Sequence, residues 1–166
     1  MDWNRLVNER GPALVLYARQ WLASHAEAED AVQEGFVRTW RAISTGRAQE
    51  EAIVPYLYRA VRSAALDCLR RDSRRQRREQ KDFEDKPDSE PFFLPQEANP
   101  ETAAGLQDAL QSLPPEQREV VVMKVWGEQT FDAIGHALEI SPNTAASRYR
   151  YGMEALRKSL KQESVT

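Results

Sequence analysis

The sequence predicts an all-α fold of two small helical domains joined by an acidic, proline-containing linker. Three observations predict it. Apolar residues recur at helical spacing, as in Val32, Phe36, Trp40, Ile43 and again in Ala145, Tyr149, Met153, Leu156, Leu160, which places one per turn on a single face. Only 7 of the 166 residues are glycine, and no alternating β-branched run bounded by Gly or Asn turns occurs. Between Asp82 and Pro100 stand Pro87, Pro91, Pro95 and Pro100 among acids and small polar residues, with no periodicity. That stretch, 82–100, reads as a linker between residues 1–81 and 101–163. Phe92, Phe93 and Leu94 stand out within it, because three adjacent apolar residues in a tether call for something to dock on.

In the first domain Pro12 is expected to open a helix carrying Leu16, Trp21 and Leu22, with His25 to Glu29 connecting it to the next. The following helix is two-faced. Val32, Phe36, Trp40 and Ile43 form its core stripe, while Asp30, Glu34, Arg38 and Arg41 lie opposite. Pro55 then suits the first position of a long helix, whose buried stripe is Leu57, Val61, Ala64 and Cys68.

Projected at about 100° per residue, Arg62, Ser63, Arg70, Arg74 and Arg77 fall within about 60° of Arg59 to one side or the other, on the far side of this helix. Solvated helices usually alternate charge signs at i,i+4. Six arginines between positions 70 and 78 forgo that stabilisation, so a polyanion is the better account of the ridge. Net charge, −3, hides this segregation: residues 51–81 hold nine basic and four acidic side chains, and residues 82–101 one basic and seven acidic. Phosphate attraction depends on the local patch within a Debye length of about 8 Å.

In the second domain Leu106, Leu110 and Leu113 precede Pro114 and Pro115, which start a strongly apolar helix through Val120 to Trp126. Gly127 stops it. Thr130 caps a short helix with Phe131, Ile134 and Leu138, and Ser141 with Pro142 launches the last one. A short helix, a turn of a few residues and a second helix with a small, polar outer face is the plan of a helix-turn-helix. A major groove about 12 Å wide admits such a helix when its first outward positions are short and polar and its flanks cationic. Asn143, Ser147 and Arg150 occupy the outward stripe, with Thr144 and Arg148 beside it. The amides after Ser141, with the helix dipole, add a phosphate site.

Other classes find little support. No stretch reaches the roughly 18 apolar residues that span a bilayer, and the N-terminus lacks a signal region, so a cytoplasmic protein without membrane insertion is expected. One cysteine and two distant histidines, His25 and His136, cannot build an all-Cys/His zinc site or a disulfide. No cofactor is expected. No paired acid/base set, phosphate-cradling glycine loop or nucleophile motif argues for an enzyme. The helices alone leave open a stand-alone helix-turn-helix regulator or a helical interaction protein.

AEAEDAVQEGFVRTWRA at 26–42 and PYLYRAVRSAALDCLRRDSRR at 55–75 resemble the second region of sigma-70 family sigma factors. LPPEQREVVVMKVWGEQTFDAIGHALEISPNTAASRYRYGMEALRKSL at 113–160 resembles their fourth region. With no third region, the order is similar to the extracytoplasmic-function subgroup. The resemblance implies a region 2-like domain, 1–81, that binds RNA polymerase core and opens the minus-ten element. It implies a region 4-like domain, 101–163, that reads the minus-thirty-five element.

Carried across, Asp30, Gln33, Glu34, Val37 and Arg41 are the expected core-binding residues, toward the clamp helices of β′, with the β flap as the other core contact. Tyr56, Arg59, Arg62, Ser63, Arg70 and Arg74 are expected at the minus-ten element. Ser141, Asn143, Thr144, Ser147, Arg148 and Arg150 are expected at the upstream element. An anti-sigma partner is implied as well, as is a linker threaded through the polymerase with Phe92 to Leu94 docked inside. Departures from the pattern are Tyr56 for a common Trp, Ser63 for Asn, Ala146 for Lys, and Glu139 where Gly is frequent in the turn. A left-handed Glu139 would cost on the order of 1 kcal/mol.

Overall fold

A computed structural model of the chain describes residues 1–79, 90–93 and 99–165. They fall into two compact units, Met1–Glu90 and Pro91–Thr166. The first contains α1 (Trp3–Ala18), α2 (His25–Ser44) and α3 (Ile53–Glu79), the last entered through a 3-10 turn at Glu50–Ala52. The second contains α4 (Pro100–Ser112), α5 (Pro115–Val125), α6 (Phe131–Leu138) and α7 (Pro142–Val165). Of the expected linker, 82–89 and 94–98 lie outside the described residues. No described helix is long and apolar enough to cross a membrane.

Pro12 does not open α1 but lies exposed inside it. The start is set by Asp2, whose carboxylate accepts the Arg5 N–H at 3.1 Å, as an N-cap does. The helix also stops before Trp21 and Leu22. Residues 25–29 are likewise the first turns of α2 and not a connection: the Ser24 hydroxyl accepts the Glu27 N–H at 3.2 Å. Ser24 and Glu27 have the spacing of a capping box.

The first core joins Leu14, Tyr17 and Leu22 with Ala28, Val32 and Phe36 of α2 and Leu57, Tyr58, Val61 and Ala65 of α3. Full burial of each large aliphatic side chain contributes roughly 1.5–3 kcal/mol. Helices α2 and α3 approach at Gly35, where a β-carbon would stand 3.1 Å from the Val61 backbone.

Trp40, expected in this core, is 53% exposed. Each i,i+4 step drifts about 40° around a helix, so two steps from Val32 carry Trp40 about 80° off the buried face. Thr39 takes the core place instead, fully buried, with its hydroxyl donating to the Gly35 carbonyl at 2.7 Å.

Pro55 is the third residue of α3 and not its first. Cys68 is half-buried, because α3 emerges from the bundle here and residues 69–78 are exposed. Burial, then the nearby Asp72 carboxylate, pushes its thiol pKa up, which leaves the protonated, unreactive form.

Glu90 is tied back to the turn between α1 and α2. Its N–H donates to the Ala23 carbonyl at 2.9 Å and its carboxylate accepts the His25 N–H at 3.0 Å. Arg19, 1% exposed, donates to the carbonyls of both Leu22 and Glu90. Burial draws the guanidinium's pKa down, opposed by the carboxylates of Glu90 and Glu27.

In the second unit Val120, Val121, Val122 and Met123 are buried with Leu110, Leu113, Ile134, Ala137, Ala145 and Leu156. Val125, expected with them, is 44% exposed at the end of α5. A β-carbon on Gly152 would meet the Val121 side chain at 2.8 Å, so this glycine lets α7 lie close on α5. Phe92 is buried and its N–H donates to Gln107 Oε1 at 2.8 Å, while the Phe93 ring tilts against Trp126 at 5.7 Å. Leu94 lies outside the described residues.

Candidate nucleic-acid interface

The helix pair α6–α7 is set by local chemistry. The Thr130 hydroxyl accepts the Ala133 N–H at 3.1 Å and starts α6. Glu139 ends it at φ 58°, ψ 42°, the left-handed conformation. Two residues later the Ser141 hydroxyl accepts the Thr144 N–H at 3.1 Å, and Pro142 begins α7. The turn folds back over Gly135, whose carbonyl accepts the Ile140 N–H at 3.0 Å. Phe131 and Tyr149 brace the two helices, ring to ring at 5.6 Å, and the Lys124 ammonium stands 4.6 Å from the Phe131 ring.

With Ala145, Gly152 and Leu156 buried, α7 turns its polar side outward. Asn143 and Arg150 are exposed, and Ser147, Arg148 and Thr144 are half-exposed. Ser141 is exposed, but its hydroxyl is engaged as the cap and also pairs with the Thr144 hydroxyl at 2.9 Å. Arg150 lies over the ring of Tyr151, itself 53% exposed, at 5.2 Å. Short polar groups at the first turns with cations one and two turns on is an arrangement that can read base edges and hold phosphates.

On α3, Ser63, Arg70 and Arg74 are exposed, and Tyr56, Arg59 and Arg62 are half-buried. Arg70 stands 3.6 Å from Asp67. Arg71, Arg74, Arg75 and Arg78 line one shallow cleft of about 390 Å³. A helix end this basic and exposed gathers positive potential that attracts anions.

On α2, Asp30, Gln33, Glu34 and Arg41 are exposed, with Val37 41% and Trp40 53% exposed beside them. Glu34 holds Arg38 at 3.0 Å, and Arg38 reaches Asp67 of α3 at 3.4 Å. The face therefore combines two exposed apolar side chains with charges paired by Arg38.

Sequence reasoning passed over the close-approach glycines Gly35, Gly135 and Gly152, and also Arg19 and Tyr151, and it took Trp21 only as an apolar member of the first helix. The helix starts it missed did have local signals, Asp2 before α1 and the Ser24 to Glu27 spacing at α2.

Residues 6–75 match Sigma-70 region 2, and residues 104–156 match Sigma-70, region 4. The ECF RNA polymerase sigma factor SigE of Mycolicibacterium smegmatis is 30% identical over 98% of this chain, which spans 63% of that relative's length. The RNA polymerase sigma factor CarQ of Myxococcus xanthus is 30% identical over 93% of this chain and 87% of its own. Among solved structures, the sigma factor RpoE from Bartonella quintana, in complex with the anti-sigma factor NepR, is similar with a TM-score of 0.70 at 19% identity, covering 96% of this chain and 97% of that one. CnrH in complex with the cytosolic domain of CnrY gives 0.65 at 20% identity, covering 96% and 87%. At these identities the two structures share the fold.

Proposed function

The chain belongs to the extracytoplasmic-function subgroup of the sigma-70 family, and from that membership we propose that it binds bacterial RNA polymerase core, directs it to specific promoters and helps open the DNA. As an initiation factor it carries no catalysis of its own and works in the cytoplasm. The observation that supports this best is the pairing, in one chain, of a region 2 match bearing the arginine ridge with a region 4 match bearing the helix-turn-helix.

The division of labour follows from the side chains. Residues 1–81 engage core through Asp30, Gln33, Glu34, Val37 and Arg41 toward the β′ clamp helices. Tyr56, Arg59, Arg62, Ser63, Arg70 and Arg74 meet the minus-ten element, the arginines on phosphates and the aromatic beside an unstacked base. Residues 101–163 contact the β flap and read the upstream element with Asn143, Thr144, Ser147, Arg148 and Arg150, while Ser141 presents the first-turn amides to a phosphate. A partner of the kind bound to RpoE of Bartonella quintana, an anti-sigma factor, would hold the chain inactive.

The deciding measurement is footprinting and transcription with purified core polymerase. Protection of a promoter only when core is present is expected. Protection of a paired half-site by the chain alone would overturn the reading in favour of a stand-alone regulator.

A further inference from the structure

Tyr151 lies on α7 outside every residue set assigned above, yet it is 53% exposed. An aromatic ring carries one of the largest apolar surfaces that a side chain can bury, and here much of it faces water. Its place on the helix is specific. At about 100° per residue, Tyr151 stands about 80° round α7 from Asn143, between Ser147 at about 40° and Thr144 at about 100°. The buried residues Ala145, Gly152 and Leu156 lie at about 180–220° on the same scale. The ring is therefore inside the arc that carries the proposed reading residues and away from the packed face.

Depth along the helix gives the second constraint. Tyr151 comes eight residues after Asn143, a rise of about 12 Å, which is about the width of the major groove. A straight helix whose first turn enters the groove has climbed toward the rim by that point, so a short polar side chain there would fall short of the bases. Tyrosine is long and has only two side-chain torsions to order. One side of its ring is taken by the Arg150 guanidinium, 5.2 Å from the centroid, a cation suited to the phosphates that edge the groove. The other side and the ring edge are left to the groove, where the apolar feature on offer is the 5-methyl group of thymine.

We propose that Tyr151 is a specificity-determining residue for the upstream element, its ring packing on the 5-methyl group of a thymine near the rim of the major groove. The proposal rests on the reading of α7 as the helix that meets that element. Asn143 and Ser147 select hydrogen-bonding groups, and Tyr151 adds a demand for a methyl group at one further position.

The test uses the full chain bound to core polymerase and a promoter that it transcribes. Each thymine of the upstream element, on either strand, is replaced singly by deoxyuridine, which lacks only the 5-methyl group. One such replacement should weaken binding of the parent holoenzyme about fourfold, the size expected from one buried methyl group. Tyr151→Ala should weaken binding to the unreplaced promoter by a similar factor and be indifferent to that replacement. Tyr151→Phe keeps the ring and should keep the parent's response. The proposal is overturned if no thymine methyl matters to the parent, or if Tyr151→Ala responds to the replacements as the parent does. A Tyr151→Ala loss independent of every methyl group would also overturn it, because the ring would then act only through Arg150 or on core. An upstream element left unprotected by the parent holoenzyme would overturn the reading of α7, and the role of Tyr151 with it. Urea unfolding of Tyr151→Ala should match the parent, since the ring is exposed, and a loss confined to unfolding would sink the proposal too.

Discussion

Ile140 folds back onto Gly135: its carbonyl oxygen stands 2.6 Å from the point that a β-carbon on Gly135 would occupy, with Pro142 N and Ser141 C at 3.3 and 3.4 Å. All three are backbone atoms of the helix-turn-helix turn, and backbone cannot swing aside as a side chain can. Gly135→Ala is therefore expected to destabilise the second unit by about 1–3 kcal/mol, the range for overpacking, and to weaken upstream-element binding by displacing α7. Urea unfolding and promoter binding of one variant check both effects.

The same turn stores strain at Glu139. A left-handed non-glycine residue costs roughly 1–2 kcal/mol, and glycine's extra freedom in the unfolded chain gives back about 0.5–1 kcal/mol of that. Glu139→Gly should accordingly stabilise the second unit by about 0.5 kcal/mol, read as a higher urea midpoint with an unchanged slope. A lower midpoint would mean that the glutamate side chain supports the turn by more than the strain costs.

How much of this was legible depended on range. Caps at Thr130, Ser141 and Pro142, and the strain at Glu139, are local chemistry and could be read directly. Asp2 and Ser24 are equally local, but Pro12 was a louder start signal and diverted the reading of α1. The exchange of Trp40 for Thr39 came from helical drift, which a strict i,i+4 stripe ignores. Close approaches at Gly35, Gly135 and Gly152 require knowing what lies opposite. So does the bond between Arg19 and Glu90, which are 71 residues apart. The candidate DNA faces were legible because their outward residues are short-range patterns, whereas the contact of Trp21 with Arg62 joins two elements far apart in the sequence.

Glu90 caps the start of α2 from a distance, and its removal should behave as loss of a cap. Glu90→Ala is expected to cost about 0.5–1 kcal/mol, with faster hydrogen exchange at the His25 amide. Arg19→Met should cost more, about 1–3 kcal/mol, because two carbonyls lose a charged donor at once. Equal and negligible losses in both variants would show that the Glu90 contacts carry no weight in solution.

Tyr58 gives a pH signature. Burial pushes its phenol pKa from 10 up to about 12, with Arg10 opposing. The folded state thus favours the proton more than the unfolded state does. The resulting stability is fully present below pH 10 and is lost as pH rises from 10 to 12, with a limiting slope of about 1.4 kcal/mol per pH unit. The hydroxyl is buried with no hydrogen-bond partner among the described residues, so Tyr58→Phe should be neutral or slightly stabilising at pH 7. It should also flatten the alkaline limb, seen by repeating the urea unfolding between pH 9 and 12. A steep loss at neutral pH would show that the hydroxyl is satisfied.

Base reading and phosphate holding should separate on the two faces. Ser147 and Arg148 lie one turn into α7, where the proposed function has side chains reach base edges, and each good contact of that kind is worth roughly 1–3 kcal/mol of discrimination. Ser147→Ala and Arg148→Ala should therefore narrow the gap between a cognate upstream element and a scrambled one. Arg74 stands exposed on α3 in an arginine-lined cleft, which the proposed function assigns to phosphates and not to bases. Arg74→Ala should weaken holoenzyme binding to every promoter by a similar factor and reduce the slope of log affinity against log salt by about one. Titrations of the three variants on matched and scrambled promoters at several salt concentrations test both claims. If Arg148→Ala shifts all promoters equally while Arg74→Ala changes preference, the assignment of reading to α7 and holding to α3 is reversed.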